Sequence, residues 1–374
     1  MIFGIDGRSL IEKRTGIGTY VYEIIKKLNK NDTENDYYIY SNKDVFIDFK
    51  LNDNFQIKKY DFKVGTIWVY FILPKFLNQD KIDLFWGTEH CIPKRNKYTK
   101  NIKFILTVHD LAIQKFKNIG SYYNTIIQKL FLKKSCKNAD LIISDSKATK
   151  EDIIEIFKIK QEKIKVVYLG TNFDNGFNIT KNEENEILKK FHVENKNYLF
   201  FISTIEPRKN IVTLIKAFET LKEKEENKTL KLILAGGLGW KYQNVLDAIE
   251  KSEFRSEINL AGYISKEEKE CLFHNTKCFV YPSIYEGFGL PILEAMQKGV
   301  IIVTCNTSSI PEVGGEVPFY LNDVHNEKEL SELIKKAINL NEEEKNIIIE
   351  KGYNQVKKFT WEKCANELIQ ILKG

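Results

Sequence analysis

Short apolar runs rich in β-branched and aromatic residues recur along the chain, with helix-periodic stretches between them. Up to Gly170 they are MIFGID, YYIYS, DLFWG, KFILTVHD, DLIISDS and KVVYLG; from Tyr198 the rhythm restarts with YLFFIST, LKLILAGG, INLAGYI, CFVYPS and VIIVTCN. Near-continuous apolar runs mark strands buried on both faces, and their alternation with helices predicts parallel sheets covered by helices. Between the two series lies TNFDNGFNITKNEENE, polar and rich in Asn and Glu, which has the composition of a linker. The pattern therefore predicts two doubly wound, Rossmann-like α/β domains, residues 1–172 and 173–359. Such sheets bind ligands beyond the carboxyl ends of their strands, so two of them facing each other would make a cleft. The final FTWEKCANELIQILKG offers a cap at Thr360 and an amphipathic helix over 360–374, which is free to pack back onto the first domain.

Length agrees: 374 residues exceed one ordinary hydrophobic core and suit two. With 43% apolar and 29% charged residues the composition is that of a soluble globular protein, and no apolar run approaches the roughly 18 residues of a membrane span. The first residues have the pattern of a strand and not of a signal peptide, so a cytoplasmic location is expected. Six cysteines are scattered without a C-x-x-C pair, which predicts reduced, buried thiols and no metal or disulfide. The net charge of +6 is uneven: residues 1–170 hold 30 Lys and Arg against 20 Asp and Glu, whereas the rest hold 27 against 31. A basic first half fits an anionic surface. Without a nucleic-acid-reading motif, peripheral contact with anionic membrane is the better match than nucleic acid, beside the plain alternative of a solvated basic face.

Four stretches carry candidate chemistry. In SIYEGFGLPILEAMQKG, Pro291 fits the first turn of a helix beginning near Leu290, and Gly299 fits its end. Its unbonded N–H groups, with those of Phe288 and Gly289, would make a seat for phosphate or another anion. Glu286 and Glu294 flank that turn, where carboxylates accept hydrogen bonds from vicinal hydroxyls. Either one alone would be explained by the helix dipole, worth about 0.3 to 1 kcal/mol; two around a glycine turn point to a ligand. In STIEPRKNIVTLIKAF, Asn210 is a helix cap that places Arg208 and Lys209 at a positive helix end, a conflict that a pyrophosphate would remove. Gly16 and Gly18 of RTGIGTYVYEIIKKL precede an amphipathic helix, a weak phosphate-loop signal on its own. In ILTVHDL, His109 and Asp110 end a buried strand; a neutral His109 would meet a substrate hydroxyl or a developing charge there, unless Asp110 merely caps the next turn with His109 packed in the wall. Ser265 and Glu268 form a capping box, and the loop before it, near Ile264, has backbone to offer a flat base.

EGFGLPILE matches the E-x7-E signature of retaining glycosyltransferases, and together with EPRKN, the GIG loop and HDL it makes the chain resemble glycosyltransferase family 4, of GT-B fold, over essentially its whole length. The resemblance implies transfer of a sugar from a nucleotide diphosphate sugar to an acceptor hydroxyl with retention, by front-face departure and attack. It implies that Arg208 and Lys209 neutralise the leaving diphosphate, Glu286 holds donor-sugar hydroxyls, and Glu294 the ribose. The backbone of Phe288, Gly289 and Leu290 would hold sugar and phosphate, His109 the donor sugar, Gly16 and Gly18 the diphosphate, and Ile264 the base. No D-x-D occurs in the chain, so no metal and no further cofactor is expected and the cationic pair does that work. Gln297 departs from the small residue usual after EAM, deeper in the helix.

Within the family the HDL and EPRKN forms look most like mannosyltransferases, with GDP-mannose the favoured donor and a lipid-linked or polysaccharide acceptor in surface glycan synthesis; glucosyl, rhamnosyl and N-acetylhexosaminyl donors stay open. A nucleotide-sugar epimerase as a rule lacks E-x7-E with PRKN. A nicotinamide oxidoreductase would want G-x-G-x-x-G directly after a strand, which Gly16-Ile17-Gly18 does not provide. A non-catalytic sugar-nucleotide sensor would bind donor without turnover.

Overall fold

The computed structural model describes residues 1–12, 16–116, 122–171, 179–224 and 227–373, with side chains for all of these except 122–128. Two compact units emerge: Met1–Gly170 with Phe359–Gly374, and Thr171–Lys358.

The first unit is built on seven strands: β1 (Ile2–Asp6), β2 (Asp36–Ser41), β3 (Phe55–Lys59), β4 (Leu84–Gly87), β5 (Lys103–Val108), β6 (Leu141–Ser144) and β7 (Ile164–Val166). They lie in the order β3-β2-β1-β4-β5-β6-β7, all pairs parallel, with Ile5 opposite Ile39 on one side and Trp86 on the other. The second unit has six: β8 (Tyr198–Ile202), β9 (Lys231–Ala235), β10 (Ile258–Gly262), β11 (Cys278–Tyr281), β12 (Ile302–Cys305) and β13 (Phe319–Leu321), in the order β10-β9-β8-β11-β12-β13 and again parallel. In each sheet the chain builds outward from the first strand and then returns to its other side, so the order reverses once, between β1 and β4 and between β8 and β11. Those two reversals mark where an open α/β sheet takes its ligands.

The central strands are mainly apolar and buried: β8 holds Tyr198, Leu199, Phe200 and Phe201, and β12 holds Ile302 and Val303, all essentially inaccessible. Two strands, β3 and β13, were not anticipated. Both are edges; β3 ends in Lys58 and Lys59, which blunt it against further pairing.

Three other expectations need correction. The stretch taken as linker is helical in its second half: Lys181–Lys190 is a helix whose Thr180 and Glu183 form a reciprocal capping box, while residues 172–178 lie outside the described part. Gly16 and Gly18 do not precede the first helix but lie in its first turn, since it spans Gly16–Asn31. Asn210 does precede a helix, Ile211–Lys222, yet its side chain caps no N–H; it adopts the left-handed conformation and reaches out to the Val324 carbonyl (2.6 Å).

The closing helix, Trp361–Lys373, belongs to the first unit. Thr360 caps it through the Lys363 N–H (3.1 Å), Trp361 rests on Tyr20, and Lys27 and Lys373 pair with Glu362 and Asp32. Gly170, where the chain leaves this unit, lies so close to its point of return that a Cβ there would come within 2.2 Å of the Thr360 and Trp361 backbone. All six cysteines are buried free thiols, and among the described residues no helix is long and apolar enough to cross a membrane.

Candidate functional site

The reversal in the second sheet brings together the loop after β8 and the loop after β11, 77 residues apart in sequence. Pro207–Lys209 forms a single 3-10 turn ahead of the helix Ile211–Lys222. Ile284 donates its N–H to the Arg208 carbonyl (2.8 Å), which ties the two loops together.

Glu286 is the hub. Its Oε1 accepts from Lys209 Nζ (2.5 Å), Ser283 Oγ (2.5 Å) and the Tyr281 hydroxyl (2.8 Å), and its Oε2 from Arg208 Nη1 (3.2 Å). Arg208 also donates to the Tyr285 carbonyl (2.9 Å) and pairs through Nε with Glu206. Lys209 is buried, donating to Tyr281 (2.7 Å) as well as to Glu286. Burial alone would raise the Glu286 pKa, but the charges of Lys209 and Arg208 and the hydrogen bonds from Lys209 and Ser283 outweigh it and bring it from 4.5 to about 2. Burial conversely pushes Lys209 down, with Glu286 opposing. The two cations expected to meet a diphosphate are therefore held by carboxylates of their own unit. Oε1 of Glu286 already takes three donors, so Oε2 is the atom with room for a sugar hydroxyl.

The turn after Glu286 is clamped from below by residues that sequence spacing gave no reason to select. Ser309 Oγ donates to the carbonyls of Glu286 and Phe288 (2.9 Å each), and Ser308 Oγ accepts the Glu286 N–H (2.9 Å). Gly289 has φ 107° and ψ 43°, a conformation that L-residues rarely adopt, and turns the chain into the helix Leu290–Gln297 with Pro291 in its first turn. Gly299 ends that helix with φ 64°. Glu294 lies on it, about one third exposed, and accepts from Lys269 (2.9 Å). Gln297, the departure noted above, accepts from Thr171 (2.7 Å) and so anchors the first segment of this unit. Ile264 is buried between β10 and the helix Lys266–Asn275, whose Ser265 and Glu268 form the anticipated capping box; its neighbour Tyr263 is 73% exposed and presents an aromatic face that the sequence reading passed over.

In the first unit His109 follows β5 directly. Its Nδ1 lies 2.6 Å from Asp145 Oδ2 and its Nε2 2.9 Å from the Thr88 carbonyl. Two acceptors require two donors, so the ring is held as an imidazolium: burial opposes the charge, but Asp145 overcomes it and raises the pKa. A neutral His109 free to meet a hydroxyl does not describe this geometry. Asp110 caps the next turn through the Ala112 N–H (2.9 Å). Asp145 stands just past β6 as His109 stands past β5, and the strand-end argument that selected one applies to the other. Gly16 is exposed and Gly18 buried at the start of their helix. Among the described residues no three His, Cys, Asp or Glu side chains are placed to hold a metal ion.

Residues 182–355 match the family model of glycosyl transferases group 1, and residues 14–175 that of Glycosyltransferase Family 4. O-antigen chain mannosyltransferase B of Escherichia coli is 31% identical over 290 residues, 78% of this chain and 74% of that one. The serotype-specific mannosyltransferase WbdA of the same species is 26% identical over 203 residues, 54% of this chain; the match spans only 25% of that longer relative. Among solved structures, WaaG, a glycosyltransferase involved in lipopolysaccharide biosynthesis, superposes with a TM-score of 0.76 at 13% identity, covering 100% of both chains. Anabaena HepE in complex with UDP and glucose gives 0.73 at 16%, covering 100% of this chain and 99% of that one. At such identities the structural likeness speaks for the fold, two-domain GT-B.

Proposed function

Because the chain belongs to glycosyltransferase family 4, we propose that it moves a hexose, mannose, from GDP-mannose to a hydroxyl of a lipid-linked or polysaccharide acceptor in surface glycan synthesis, O-antigen or capsule, at the cytoplasmic face of the membrane. The observation that carries the reading is the Arg208–Lys209–Glu286 cluster, seated at the sheet reversal beside the Gly289 turn. The names of the relatives support mannose and O-antigen.

In this reading the bond between the sugar C1 and the phosphate oxygen breaks with its electron pair going to the diphosphate. The acceptor oxygen bonds C1 on the same face, and its proton passes to the departing phosphate. The charge that grows is on the diphosphate, and preorganised cations stabilise it without reorganising. Arg208 and Lys209 supply that charge, which leaves no step for a divalent metal. Glu286 keeps Lys209 charged despite burial and offers Oε2 to a donor-sugar hydroxyl. Glu294 binds the ribose by exchanging its bond to Lys269, and the backbone of Phe288, Gly289 and Leu290 binds the sugar and phosphate. Ile264 backbone and the Tyr263 face meet the base. Gly16 and Gly18, in the first turn of their helix, admit the diphosphate closely, and His109 contributes positive charge toward the donor.

Calorimetric binding of GDP, UDP, dTDP and ADP with EDTA present tests this. A preference for GDP that EDTA does not weaken is expected. A preference for UDP or dTDP overturns mannose, binding that needs a divalent ion overturns metal independence, and binding of none overturns the donor site.

A further inference from the structure

The helices that start beyond β10 and β11 are joined by one ion pair. Lys269 lies one turn into Lys266–Asn275, after the Ser265 cap, and its Nζ donates to Glu294 Oε1 on Leu290–Gln297 at 2.9 Å. Both side chains are about one third exposed. Burial opposes the charge of Lys269, but Glu294, Glu270 and Tyr263 outweigh it and raise its pKa. The ammonium is thus within electrostatic reach of Tyr263 on the loop before its helix as well as of the carboxylate it pairs with.

Glu294 is the partner that a ribose has to displace. Among the described residues Lys269 has no second ion pair, and the adjacent Glu270 is paired with Lys298. When Glu294 turns to ribose hydroxyls, a partly buried ammonium loses its acceptor, and a charged donor left unpaired is costly. The replacement has to come from the ligand. The ribose hydroxyls are taken by Glu294 and the diphosphate by Arg208 and Lys209, which leaves the base, seated on the Tyr263 and Ile264 loop. An ammonium has three donors and no acceptor. It therefore satisfies a ring carbonyl and meets an exocyclic amino group donor to donor.

We propose that Lys269 selects the class of base on the donor: it donates to a keto oxygen, O6 of guanine or O4 of uracil, and disfavours adenine and cytosine, which carry amino groups at those positions. Lys269 is a specificity-determining residue, reading the base while Glu294 holds the ribose. This selection rests on the donor-site reading above, and it applies whether the keto base is a purine or a pyrimidine.

The test is calorimetric binding of two nucleotide pairs, inosine diphosphate against ADP and UDP against CDP, to the unsubstituted protein and to Lys269→Met. Within a pair the ring system, ribose and diphosphate stay the same and an amino group replaces the keto oxygen; inosine diphosphate keeps the O6 and N7 of guanine. The unsubstituted protein is expected to prefer the keto member of the pair it binds. Lys269→Met, which removes the charge and keeps the stem, should weaken that member about tenfold or more, the range for losing a hydrogen bond to a charged group, and leave the amino member nearly unchanged. A response in the purine pair assigns guanine and one in the pyrimidine pair uracil. The absence of a keto preference, a preference that Lys269→Met leaves in place, or equal weakening of both members overturns the assignment, the last because Lys269 would then serve the diphosphate or only support Glu294. A ratio taken within a pair on one protein is not altered by a loss of stability in Lys269→Met. Failure of the unsubstituted protein to bind any nucleoside diphosphate, GDP included, overturns the donor-site reading instead, so the two failures are distinguishable.

Discussion

Replacing Glu286 by Gln tests whether the second unit's charge cluster stabilises the fold as the geometry says. A carboxyl group whose pKa falls from 4.5 to about 2 on folding contributes about 3 kcal/mol at neutral pH, at about 1.4 kcal/mol per tenfold change in acidity. Because the folded value is the lower one, this contribution is fully present above the unfolded pKa and is lost as pH falls through the folded one. At about pH 3.5 the same relation leaves about 2 kcal/mol. Glutamine cannot ionise and leaves Lys209 buried without its counter-ion, a loss for which removal of one partner from a buried pair costs roughly 3 to 5 kcal/mol. The assay is denaturant-dependent hydrogen exchange followed by mass spectrometry on peptides from β8 and β11, which reports this unit separately. The gap between the two proteins should be about 3 kcal/mol near pH 7 and shrink on acidification. A gap under about 1 kcal/mol at neutral pH, or one that does not shrink, refutes the account, because Glu286 would then be an ordinary solvated carboxylate.

Two further substitutions probe the turn and the first unit. Gly289→Ala should cost about 1 to 2 kcal/mol in denaturant titration and weaken nucleotide binding, since a Cβ there meets only Ile292 Cδ1 at 3.7 Å and the penalty lies in the backbone conformation; unchanged stability would mean the turn is not strained. Asp145→Asn should lower the pKa of His109 as followed by its ring resonances, since Asp145 is what holds the charge against burial. The stabilisation from this pair is present below the unfolded histidine pKa and fades as pH rises through the raised folded value, so the difference in stability between Asp145→Asn and the unsubstituted protein should narrow at high pH. A ring titration that Asp145→Asn leaves in place would assign the charge to another cause.

What could be read from the sequence was whatever is local. The central strands show as apolar runs because both faces are covered, whereas β3 and β13 lie at sheet edges: exposed positions break the run in β3, and β13 is only three residues long. Thr180 to Glu183 carries the same capping-box spacing as Ser265 to Glu268, but its polar surroundings disguised a helix as a linker. At the site, Glu286, Arg208 and Lys209 stood out as local motifs. That they bind one another depends on β8 and β11 being neighbours, which is a property of strand order. Tyr281, Ser308 and Ser309 carry no motif, and only their position against the Glu286 loop identifies them.

The last helix gives the order of synthesis a physical meaning. The strands of the first unit leave the ribosome early, but Trp361, which covers Tyr20, and Lys373, which reaches Asp32, follow the whole of Thr171–Lys358. At roughly 5 to 20 residues per second that interval is on the order of 10 to 40 s. For that time the nascent first unit must persist with an apolar face uncovered, which is when a chaperone would engage it. A stop codon just after Lys358 would spare every residue of the Glu286 cluster and yet leave the nascent first unit permanently in its unfinished state.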